Sequence, residues 1–135
     1  MSKIKFQGNA SGTGVITLTS PNTSTDLTLV LPGAIETLTD AATITPDFNV
    51  SSSFTVTLGG NRTMANPTNL APGQTGSIFV VQDATGSRTL AWGAYWTFPS
   101  GTAPSLTSTA NAVDRIDYIV RSTTSIQAVF TGNYS

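Results

Sequence analysis

Between Phe54 and Gln82 two runs, Phe54-Thr55-Val56-Thr57-Leu58 and Ser77-Ile78-Phe79-Val80-Val81-Gln82, mix apolar and polar residues at a period near two. They flank a loop rich in Gly, Asn and Pro. That period sends successive side chains to opposite faces of an extended chain, so one face enters a core and the other meets water or a partner. The same grammar runs through most of the chain, and it constrains the fold more tightly than any other feature. The expected class is all-β, a β-sandwich or jelly-roll-like domain with an N-terminal β-hairpin arm.

Composition agrees with a β-surface. Charged residues make up 10% of the 135, against about 25% in ordinary globular domains. Ser and Thr fill the difference, and Thr is β-branched and suited to pleated, half-buried positions. Val, Ile, Leu and Phe lie between the threonines, which argues against a disordered tract. A net charge of −1 gives no long-range field to draw nucleic acid or an anionic membrane. Uncharged hydroxyl surfaces lose little on desolvation and suit wide subunit contacts. The start, Met1 to Phe6, holds two lysines and no apolar run of signal-peptide length, and no transmembrane stretch follows. Synthesis in a host cytoplasm is expected.

Three regions are expected. Residues 1–33 read as an arm whose runs Val15–Thr19 and Leu27–Leu31 close a hairpin, with Pro32-Gly33 after it. Residues 34–53 read as connector, with room for one helical turn near 35–42. Residues 54–135 read as the main β-sandwich domain, with strands at 54–58, 77–82, 88–92, 96–98, 115–121 and 125–131. In the last pair Ile116, Tyr118 and Val120 stand opposite Ile126, Ala128 and Phe130, across a turn at 122–124.

Reactive side chains are few. The chain has no His, no Cys and one Glu, so a serine nucleophile lacks its usual base. Asp114 and Asp117 are the one close carboxylate pair, and their odd spacing sends them to opposite faces of a strand. No catalytic residue, no metal site and no cofactor is expected. Asp83 and Asp114 at strand ends read as turn residues bonding nearby backbone rather than calcium ligands. Arg62, Arg88, Arg115 and Arg121 are too dispersed for a nucleic-acid stripe. At least one is expected to pair with Asp83, Asp114 or Asp117, as a candidate interface ion pair. Among the aromatics, Trp92 shares a face with Leu90 and belongs in the core. Trp96 and Tyr95 are candidates for core or subunit contact, or for stacking on a surface glycan.

The run Thr55 to Met64, then Pro72-Gly73-Gln74-Thr75-Gly76 and Val81-Gln82-Asp83, resembles a structural module of double-stranded DNA phage virions. So do Gly86 to Gly93 and Phe98 to Pro104. Such modules end tail fibres and other virion proteins, and the likeness spans most of 54–131. The segment from Gly12 to Gly33 resembles a hairpin common in fibre proteins. The resemblance implies a structural, non-enzymatic virion protein. A chain this small, read as a complete free-standing protein, leads to the expectation of a homotrimeric capsid decoration, or cement, protein bound to the major capsid protein. Its arm would contact the shell or a neighbour through Ile4, Phe6, Val15 and Leu29. A short tail-fibre or spike component is the alternative. A carbohydrate-binding adsorption protein using Trp96 and Tyr95 is a third reading, of a different class.

Overall fold

The computed structural model describes residues 34–134. Nine strands follow in chain order: β1 (Glu36–Thr37), β2 (Thr43–Ile44), β3 (Ser53–Leu58), β4 (Arg62–Met64), β5 (Thr75–Gln82), β6 (Leu90–Trp92), β7 (Trp96–Thr97), β8 (Val113–Ser122) and β9 (Ser125–Tyr134). They make a six-stranded sheet ordered β1-β3-β5-β8-β9-β7 and a three-stranded sheet ordered β2-β4-β6. The protein is all-β, with one 3-10 turn at Pro99–Gly101 among the described residues.

The chain reaches this arrangement by winding. β1, β3 and β5 are parallel neighbours in the large sheet, and β2, β4 and β6 are parallel neighbours in the small one. Since the two sets alternate along the sequence, the chain crosses between the sheets five times from β1 to β6, each coil lying beside the last. Parallel strands cannot be joined by a tight hairpin, and here the opposite sheet supplies each crossover. The coiling ends where β8 and β9 fold back as an antiparallel hairpin between β5 and β7.

One apolar core joins the two sheets. Inward residues form cross-strand ladders, Phe54–Ile78–Ile116–Phe130 in the large sheet and Ile44–Met64–Trp92 in the small one. Phe54, Ile78, Ile116 and Met64 are fully buried. Aromatic rings seal one end of this core: Phe48 stacks on Tyr118 at 4.7 Å and on Phe54 at 5.8 Å. Trp96 meets Tyr118, Phe48 and Trp92 edge-on. Offset and edge-to-face contacts are the geometries that ring quadrupoles favour.

Six strands lie where the period placed them, and the β8–β9 register pairs Ile116 with Phe130, Tyr118 with Ala128 and Val120 with Ile126. Three differences stand out. Residues 34–53 are more than connector: they supply β1, β2 and the buried Phe48, and no helical turn forms at 35–42. The loop after Phe54–Leu58 hides β4, and β3 and β5 run parallel. A jelly roll's antiparallel connectivity is thereby replaced by coils. These short strands escape a period-two reading because two or three residues show no period. The expected hairpin arm at 1–33 lies outside the described residues.

Candidate interaction surface

The large sheet buries one face and presents the other. On β8, Asp114, Ile116, Tyr118 and Val120 face the core, while Val113, Arg115, Asp117 and Ile119 face out. β9 repeats this with Gln127, Val129 and Thr131 outward, and β5 with Ser77, Phe79 and Val81. The outer face carries exposed apolar side chains, Ile119 at 46% and Val129 at 54% accessibility, with Tyr134 at its margin. Isolated exposed apolar residues are ordinary on a folded protein. Here Phe79, Val81, Val113, Ile119 and Val129 stand on adjoining strands of one surface, and such clustering marks contact sites. A groove of about 360 Å³ runs along its β7 margin, lined by Pro99, Ile119, Gln127 and Val129 among others.

Polar groups on that face are fixed in place. Asp117 accepts from Ser77 Oγ at 2.6 Å and from Arg115 Nε at 2.9 Å. The Arg115 guanidinium also lies 5.2 Å from the centroid of the Tyr134 ring, within cation–π range. A half-exposed ion pair of this kind adds little stability, but it holds a patterned surface of charge, hydroxyl and aliphatic groups.

The other expected ion-pair residues are brought together within the chain. Arg88 Nη2 lies 2.7 Å from Asp83 Oδ2, while Asp83 Oδ1 accepts the amides of Thr85 and Gly86. The Arg88 hydrogen bond, reinforced by those amides, holds the Asp83 carboxyl below its ordinary pKa. Arg62 pairs with Asp40, a partner not foreseen, through a two-pronged contact at 2.7 and 2.6 Å. That contact lowers the Asp40 pKa. Arg121 is exposed and makes no ion pair among the described residues. Arg62, Arg88 and Arg115 each hold a carboxylate of their own chain, Asp40, Asp83 and Asp117 in turn.

Asp114 and Asp117 face opposite ways, as their spacing required. Asp114 is 1% accessible and accepts from the Thr107 amide at 2.7 Å and the Asn133 amide at 2.9 Å. Asn133 is free to donate because the β8–β9 register shifts between Val113 and Arg115 and Asn133 takes a positive φ of 62°. Asp114 thus ties the loop before β8 to the end of β9. It is an anchor rather than an interface group.

The aromatic candidates belong to the core. Trp96 is 6% accessible, and its Nε1 donates to Ala65 O at 3.0 Å. A ring so enclosed offers no face to a sugar, which corrects its assignment as a glycan or interface contact. Tyr95 is half-buried against the same cluster. Trp92 is half-buried too, with its Nε1 enclosed and lacking an acceptor among the described residues. Burial pushes the Tyr118 hydroxyl above its ordinary pKa, and that hydroxyl donates to Ser52 O at 2.9 Å. Ile4, Phe6, Val15 and Leu29, expected as arm contacts, lie outside the described residues. The outward apolar residues of β5, β8 and β9 were not singled out from sequence, although the alternation that marked their inward neighbours marks them equally.

No curated protein and no solved structure matches this chain. One family model does, described as "Putative phage tail fibre C-terminal domain", over residues 44–130. Its limits fall on β2 and β9, so it takes in the small sheet, the core and the outer face of the hairpin. With well over half of its length matched, the chain belongs to this family of phage tail-fibre C-terminal domains.

Proposed function

We propose that this phage structural protein serves in a short tail fibre or spike, where its outer sheet face binds copies of itself. The observation that carries the reading is the clustering of Ile119 and Val129 on a broad face, in a chain of a tail-fibre family. A sheet face edged by hydroxyl groups can be desolvated over a wide area at small cost, whereas a lysine-rich one cannot. Homotrimers are the expected assembly, and the virion is the expected location. Arg115 and Asp117 would then stand at the margin of the contact and set its register more than its strength.

The test is the number of copies per virion, measured against the major capsid protein in purified particles. A few to tens of copies supports a tail position. A ratio near one per capsid subunit would overturn it and establish a decoration protein bound to the shell.

A further inference from the structure

Two strand edges border one side of the core. β6 ends the small sheet, and β7, at the end of the large one, pairs with β9 at Ile126 and Gln127 only. The Trp92 ring at the end of β6 meets Trp96 and Phe98 edge-on at 5.3 and 5.0 Å, so the two edges adjoin. Ile126 donates its amide to Tyr95 O, on the β7 side. Phe130, on the same alternation, aims its N–H and C=O that way too, past the end of β7.

Residues 102–108, between the 3-10 turn and β8, have no regular structure and run through this seam as a strap. Just before them, Pro99 lines the same groove as Ala128 and Val129. Near their far end Thr107 donates its amide to Asp114, whose other oxygen holds Asn133. On the small-sheet side Leu90 borders two hollows, one of about 470 Å³ shared with Gly101 and Ala103, the other of about 270 Å³ shared with Pro104 and Leu106. The strap thus follows β9 from Val129 toward Asn133 and passes β6 at Leu90.

Its hold is slight. No hydrogen bond joins residues 103–106 to β6 or β9. Pro104 has no N–H to give, which keeps the segment from completing a ladder with either edge. Leu106 packs on the core, but the hollows on either side deprive the strap of close contacts. Nearby, Trp92 Nε1 is enclosed with no acceptor among the described residues. Lifting the strap would hydrate that donor, which offsets part of the loss of Leu106 burial.

We propose that residues 102–106 are a displaceable guard. Closed, they shield β6 and the far half of β9; displaced, they let a second copy pair with those strands edge to edge. Neither strand carries another deterrent, since Leu90–Trp92 and Ser125–Tyr134 contain no charged residue and no proline, the usual means of keeping edges apart. A second copy brings the same uncharged edges, and a two-fold axis matches each with itself in antiparallel fashion. Contact through the outer sheet face leaves the guard closed, so this inference stands apart from the proposed assembly.

Leu106→Ala in the full-length protein weakens the strap's anchor. Self-association measured by sedimentation should strengthen at least tenfold, and it should persist when Ile119→Asp is added, which charges the outer face and touches neither edge. In the associated form the Phe130 amide should exchange with solvent at least tenfold more slowly than in the monomer. A folded Leu106→Ala protein with unchanged association overturns the proposal, and so does association that Ile119→Asp abolishes. The unsubstituted protein supplies a second reading through the enclosed Trp92 indole proton. It should exchange at least tenfold faster than global unfolding permits, because only the strap must lift; exchange through global unfolding alone refutes a displaceable guard.

Discussion

Gly76 shows how closely the backbone is packed where β5 begins. A β-carbon built there would fall 1.7 Å from Ser52 O and 2.5 Å from the Tyr118 hydroxyl. The first contact is with backbone, which cannot swing aside. Ser52 O also accepts from both the Ser77 amide and Tyr118, so moving it breaks two hydrogen bonds. Gly76→Ala should therefore cost about 3 kcal/mol, the upper range for forced overpacking, as read by denaturant unfolding. The two close aspartates give a second contrast. Asp114→Ala removes a buried acceptor from two part-buried backbone amides and should cost about 2 kcal/mol, whereas Asp117→Ala, at a half-exposed ion pair, should cost about 1 kcal/mol or less. Equal losses in the two variants would contradict the anchor role of Asp114. Their opposite orientation was legible in the sequence, because period two needs only the spacing. The anchoring was not, since it depends on a register shift in β9.

Strands of six residues or more were legible, as were β6 and β7 among the short ones, and β1, β2 and β4 were not. β8 and β9, at ten residues each, declared even their register. β1 lies beside the longer β3, while β2, β4 and β6 make a sheet of strands only two or three residues long, and only the fold reveals that. Their connections are held by aspartates: Asp40 to Arg62, Asp83 to Arg88, and Asp47 to the Asn69 side chain and the Asn49 amide. All three carboxyls are lowered in pKa, first by those side-chain hydrogen bonds. A folded-state pKa below the unfolded one contributes stability that is complete above the unfolded value of about 4, and it is lost as pH falls through the lowered folded values. The melting temperature should thus stay level from pH 7 to 5 and drop below about pH 4. The double variant Asp40→Asn, Asp83→Asn should melt lower at pH 7 and show a shallower acid slope.

At the scale of the molecule, the prediction concerns the outer sheet face. Ile119→Asp combined with Val129→Asp places two charges where an apolar contact is proposed. Self-association should weaken at least tenfold by light scattering or sedimentation, while the melting temperature moves by only a few degrees. These outward side chains contribute nothing to the core, so unchanged assembly would direct attention to another surface. The direction of the strands has a mechanical consequence as well. β1, β3, β5, β9 and β7 all point one way, with β8 alone reversed. A load entering at Glu36 and leaving after Tyr134 therefore enters at one end of the large sheet and leaves at the other. It runs along the strands and shears every ladder bond between β1 and β9 together, instead of peeling them apart in turn. Pulled by its ends in a single-molecule trap, the protein should resist far more than when pulled through two neighbouring strands at the same end of the sheet, such as from positions 82 and 113. A part that ties one structure to another would be strong along the axis on which it is pulled.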